Sequence, residues 1–183
     1  MTIEIPGYRP GTYVIDPAHS EVGFNVRHMM ISKVKGSFHV IEGTIVAPEN
    51  PLEAKVSAKA DVASINTKDE GRDQHLRSAD FFDAENHPTI TFESTGVREQ
   101  NGEFLVDGDL TIKGVTKPVT FTVEFGGFGA DPWGNYKAGA TGTATVNRED
   151  FGLTWNAALE TGGVLVGKDV TITLDLQGAL QQD

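Results

Sequence analysis

The sequence predicts an all-β fold: about eight antiparallel strands with one short helical insertion. Three observations carry that prediction. Apolar and polar residues alternate along six segments, the period of a strand with one buried and one wet face. Gly is frequent, at 21 of 183 residues, and turn signals recur at short intervals. Only one stretch breaks the alternation in favour of a helix.

The elements follow in order. Residues 12–16 lead into the first strand across a kink at Pro17. In 19–28, Ser20, Val22, Phe24, Val26 and His28 share one face. The run 36–47 changes phase: Phe38 and Val40 fall on one parity, Ile41 and Ile45 on the other. A bulge or crossing near Glu42–Gly43 would reconcile them. In 54–62, Ala54, Val56, Ala58, Ala60 and Val62 alternate with Lys55, Ser57, Lys59 and Asp61. Thr67 and Glu70 have the spacing of a capping box, which predicts a helix over about 69–79. Its only apolar members are Leu76 and Ala79, so it belongs against an end or flank of the sheet, anchored by Phe81 and Phe82. His87-Pro88 ends the excursion, because the residue before proline is driven extended. Strands at 88–95, 104–112, 119–125, 138–146 and 170–176 complete the set. No repeat, low-complexity run or linker divides residues 1–183, which read as a single domain.

Eight antiparallel strands in chain order suit an up-and-down barrel, which removes exposed edges by closure; a two-sheet sandwich is the competing architecture. A barrel of that size can hold its own side chains or one small ligand. Seven small residues decide between these outcomes: Ala54, Ala58, Ala60, Ala138, Ala140, Gly142 and Ala144 point inward on two strands. Interiors tolerate few voids. Either large residues opposite fill the space, among them Phe24, Phe38, Phe92, Phe121 and Trp155, or an apolar tunnel remains. No charged residue falls on the inward positions except near strand ends, so such a tunnel would hold a hydrocarbon.

Composition excludes several functions. With no cysteine, disulfides, thiolate metal sites and cysteine nucleophiles are absent. A formal net charge of -11 repels nucleic acid and anionic lipid surfaces unless positive charge is concentrated locally. No run approaches the ~20 apolar residues of a membrane-spanning helix, so stable membrane insertion is not expected. The N-terminus lacks a basic start and an apolar stretch, which points to a cytoplasmic protein, or a periplasmic or extracellular one only if a leader has been removed. The spacing Gly162, Gly167, Lys168 imitates a phosphate loop, but Asp169 stands where Ser or Thr is needed and a strand pattern follows. His19, His28, His39, His75 and His87 show no paired spacing for a metal. Asp16, His19 and Ser20 are triad residue types, but neighbours on a strand face opposite ways, which spoils a relay.

The stretches DPAHSEVGF at 16–24, VRH at 26–28, GSF at 36–38 with Gly43, RDQHLRSADFFD at 72–83, PTITFES at 88–94, GDLTIKGVTKPV at 108–119 and REDFG at 148–152 resemble the YceI-like family over roughly residues 11–177. That resemblance implies a lipocalin-like eight-stranded barrel with a helical insertion. It also implies an isoprenoid lipid inside, such as a quinone tail or a polyprenyl phosphate. The expected lining is Val22, Phe24, Val26 and His28; Phe38 and Val40; Val56 and Ala58; Phe81, Phe82 and Phe92; Leu110 and Ile112; Phe121 and Val123; and Ala140 and Trp155. Arg72, Asp73, His75 and Arg77 on the helix are candidates for gripping a head group. The expected activity is therefore binding without catalysis, with the lipid as ligand and no required cofactor; a homodimer is possible. Two rivals stand beside it: an enzyme using Arg72, Asp73, His75 and His28 on a hydrophobic substrate, and an interaction module with a filled barrel.

Overall fold

The computed structural model describes residues 5–28, 31–154 and 166–181. Trp155, Gly162 and the side chain of His28 lie outside the described residues. The strands are β1 (Gly11–Ile15), β2 (Glu21–His28), β3 (Ser32–Ala47), β4 (Lys55–Asn66), β5 (Thr89–Gln100), β6 (Glu103–Ile112), β7 (Val115–Ala130), β8 (Tyr136–Asn147) and β9 (Val166–Leu180), with one helix, α1 (Glu70–Arg77), between β4 and β5. Each strand from β2 to β8 pairs antiparallel with the next in chain order.

Nine segments make eight staves. β1 and β2 both pair with β3 on one side and β9 on the other, so together they form one interrupted stave that closes the barrel. The interruption is a 3-10 turn at Pro17–His19. Pro17 supplies no N–H there, and the Asp16 carboxylate accepts from Ala18 N at 3.0 Å. Asp16 and His19 therefore do touch, at 2.8 Å, contrary to the expectation from strand geometry, because this stretch is a turn. Ser20 is still no relay member: its hydroxyl bonds the Gln177 carbonyl.

The phase change in β3 is a bulge, with the β3–β4 register shifting between Val40 and Glu42. It leaves Ile41 outside and returns Gly43, Ile45 and Ala47 to the inner face. The side chains at the α1 end are packed: Phe92 and Phe121 meet edge to face at 5.2 Å among Leu110, Ile112, Phe151 and Ile172.

The helix departs from expectation in two ways. It spans Glu70–Arg77 instead of 69–79, and its cap is Asp69, whose carboxylate accepts from Arg72 N at 3.1 Å, not Thr67. Thr67 is buried and otherwise engaged: its N–H donates to Asp73 Oδ1 at 2.9 Å and its hydroxyl to the same oxygen. Asp73, only 4% exposed, thereby ties the helix to the end of β4.

Candidate functional site

The barrel encloses a cavity of about 240 Å³ with an almost wholly apolar lining. Its wall runs from Tyr8, Pro51, Phe125 and Phe128 at one rim to Val26, Leu76, Phe81 and Val166 at the other. Strand alternation builds it: inward residues of a closed sheet line one volume. On β2 these are Val22, Phe24 and Val26; on β3, Phe38 and Val40; on β4, Val56 and Ala58. Phe92 of β5, Leu110 and Ile112 of β6, Phe121 and Val123 of β7 and Ala140 of β8 continue the wall, which Phe81 and Phe82 join from beyond α1.

The two small-residue staves give the bore its width. Ala54, Ala58, Ala60, Ala138, Ala140 and Gly142 border the cavity, while Ala144 is packed into the core. A methyl added to Gly142 would meet only Val123 and Phe121, at 3.6 and 3.7 Å, so the wall has slack there. At the α1 end Phe38 packs against two further rings of the wall, Phe24 at 5.5 Å and Phe82 at 5.4 Å.

The four helical head-group candidates do not border the cavity; each bonds the protein itself. Arg72 donates to the Thr67 hydroxyl and carbonyl, both at 2.8 Å. Asp73 accepts from Thr67. His75 Nε2 lies 2.9 Å from Asp80 and its ring meets Phe81 edge-on at 5.2 Å. Arg77 reaches the Ala63 carbonyl at 3.0 Å and pairs with Glu70 at 3.4 Å, not with Asp73. They fasten the end of the barrel; what the helical segment turns toward the bore is Leu76, Phe81 and Phe82.

Two groups of lining residues escape the sequence reading. One is an aromatic chain at the rim opposite α1, where Phe125 stands 5.3 Å from Phe104 and 5.9 Å from Phe128, which in turn meets Tyr8 and Tyr13 edge-on. The alternating positions of Phe104 and Phe125 carry the signal. Phe128 was hidden by a register shift between Phe125 and Gly127, and Tyr8 precedes the first strand. Burial raises the Tyr8 and Tyr13 phenols above their ordinary pKa, keeping both neutral. The other is Arg148, 4% exposed, whose Nε donates to Gly167 O at 2.8 Å and whose other nitrogens reach the Leu153 and Val166 carbonyls. Burial lowers its proton affinity, and carbonyl oxygens compensate the charge. Among the described residues, no three acidic or imidazole side chains gather as metal ligands, and no helix is long and apolar enough to cross a membrane.

Closure, order and an apolar bore define the class: an up-and-down β-barrel of the lipocalin-like kind. Residues 13–178 match the YceI-like domain, and the chain belongs to that family. A UPF0312 protein of Staphylococcus aureus (strain N315) is 46% identical over 160 residues, covering 86% of this chain and 91% of the relative. Among solved structures, Burkholderia cenocepacia BcnA superposes with a TM-score of 0.75 at 25% identity, covering 89% of this chain and 98% of that one. A Campylobacter jejuni YceI protein gives 0.68 at 28%, covering 85% and 90%. A polyisoprenoid binding domain from Saccharophagus degradans gives 0.63 at 14%, covering 92% and 98%, and shares the fold.

Proposed function

We propose that this protein binds an isoprenoid lipid, a quinone tail or a polyprenyl phosphate, in its bore and shields it from water for sequestration or transport. One observation carries the reading: an apolar cavity walled from rim to rim, widened by two staves of Ala and Gly. Burial contributes about 0.8 kcal/mol per CH₂ before ordering costs, so a few isoprene units bind without polar contacts. The Saccharophagus degradans domain, a polyisoprenoid binder, lends support through its shared barrel. The enzyme reading is weaker, since Arg72, Asp73 and His75, three of the four residues it invokes, stand off the cavity and bond within the protein. The filled-barrel reading conflicts with the cavity itself.

Native mass spectrometry of freshly purified protein, followed by organic extraction, tests this. The expected result is a bound mass that extracts as an isoprenoid. Protein that carries none and takes up neither a long-chain quinone nor a polyprenyl phosphate overturns the reading.

A further inference from the structure

The β2–β3 hairpin gathers positive charge in a strongly acidic chain. Between Glu21 and Glu42 the sequence holds Arg27, Lys33 and Lys35 and no Asp or Glu, against a net charge of -11 for the whole. The register sets Arg27 directly opposite Lys33, and Asn25 opposite Lys35. All three basic residues are exposed on the outer face, alternating with bore-lining Val26 and half-buried Val34. Like charges directly opposite one another destabilise a ladder. Among the described residues, neither Lys33 nor Lys35 joins an ion pair. Where the chain enters β3, Ile31 is 85% exposed.

A single exposed apolar side chain needs no explanation. One set among basic side chains where two strands meet is the combination by which peripheral proteins hold anionic bilayers: cations on the headgroup phosphates, the apolar group at the acyl boundary. The position adds to this. Val26 of the hairpin and Val166, which faces His28 across the β2–β9 ladder, both border the cavity, so the hairpin forms part of its rim.

We propose that the β2–β3 hairpin docks the protein onto an anionic lipid bilayer, with Arg27, Lys33 and Lys35 against the headgroups and Ile31 in the interface. The acidic remainder of the molecule is repelled, which fixes the docked orientation and makes the contact reversible and salt-sensitive. Use of the contact to load the bore rests on the carrier reading above; the contact itself does not.

Co-sedimentation with vesicles tests it, using phosphatidylcholine mixed with phosphatidylglycerol against phosphatidylcholine alone, with no isoprenoid in either. Wild type sediments with the anionic vesicles at low salt and is released as salt rises. The Lys33→Glu/Lys35→Glu variant binds more weakly by roughly fivefold or more per lysine, and Ile31→Ser is also weakened. Trp133→Ala, in the β7–β8 turn at the opposite end of the barrel, binds as wild type does. The Lys33→Glu/Lys35→Glu variant keeps the wild-type thermal melt, since both positions lie exposed on the outer face, so its lost binding is not lost folding. Equal binding to neutral vesicles, no binding to anionic ones, or a loss caused by Trp133→Ala and not by the lysine pair overturns the proposal. Protein that docks but yields no lipid on extraction and takes up neither a long-chain quinone nor a polyprenyl phosphate overturns the carrier reading alone.

Discussion

The ring of Phe24 lies across the backbone of Gly36, its directly paired residue on β3. A Cβ at Gly36 would sit 2.7 Å from Phe24 Cε1 and 2.9 Å from Thr67 Cγ2, so the glycine leaves room both for a ring of the bore wall and for the residue that tethers α1. Gly36→Ala is expected to cost about 1–3 kcal/mol by overpacking, read from denaturant unfolding. In the Phe24→Ala/Gly36→Ala double variant the loss falls short of the sum of the single losses, since the two changes share one clash.

Ala140 faces the cavity from β8, so a large ring there occupies free volume. Ala140→Phe is expected to abolish uptake of a long-chain quinone while unfolding at nearly the wild-type denaturant concentration. A packed interior would instead lose about 1–3 kcal/mol on the same substitution.

Asp73 accepts two hydrogen bonds from buried Thr67, and Asp73→Ala strands that N–H without a partner. The expected cost is about 1–3 kcal/mol. Hydrogen exchange should quicken at residues 70–77 and 81–82 before it does in the strands, because the lesion loosens the α1 segment and leaves the ladders intact.

Asp107 on β6 bonds Arg98 on β5 at 2.6 and 2.9 Å and accepts from Thr120 on β7 at 2.6 Å, lacing three staves on the outer surface. The Arg98 guanidinium and then the Thr120 hydroxyl hold its carboxyl below the usual aspartate range. A depressed folded pKa means the stabilisation is complete above the unfolded value of about 4 and is lost as pH falls through the lower folded value. Thermal melts of wild type and Asp107→Asn should therefore differ at neutral pH and converge in acid. The difference should also shrink in high salt, since the pair is exposed.

Much of the wall was legible because a strand's period is short and exact in phase: Val22, Phe24 and Val26, or Ala54, Ala58 and Ala60, announce one face without any tertiary knowledge. Even the bulge beyond Val40 showed itself as a parity conflict between Phe38 and Ile45. What stayed hidden depended on contacts between distant residues. Thr67 reads as the helix cap, and only its burial against Asp73 leaves that role to Asp69. Arg72 and Arg77 resemble anion-binding residues in sequence, yet backbone carbonyls at the end of β4 and the Thr67 hydroxyl claim them. Arg148 is the converse, a charged side chain taken inside because the carbonyls of Leu153 and of Gly167 on β9 surround it.

The seam has a consequence for biosynthesis. β9, the last strand to emerge from the ribosome, joins the first, so residues 11–28 wait for residues 166–180 before their second neighbour exists. Until then the nascent chain is a curved trough with a greasy concave face, and its final pairing spans nearly the whole polypeptide, the slow kind of contact. Until that last pairing forms, the open trough is the state of this molecule most exposed to aggregation.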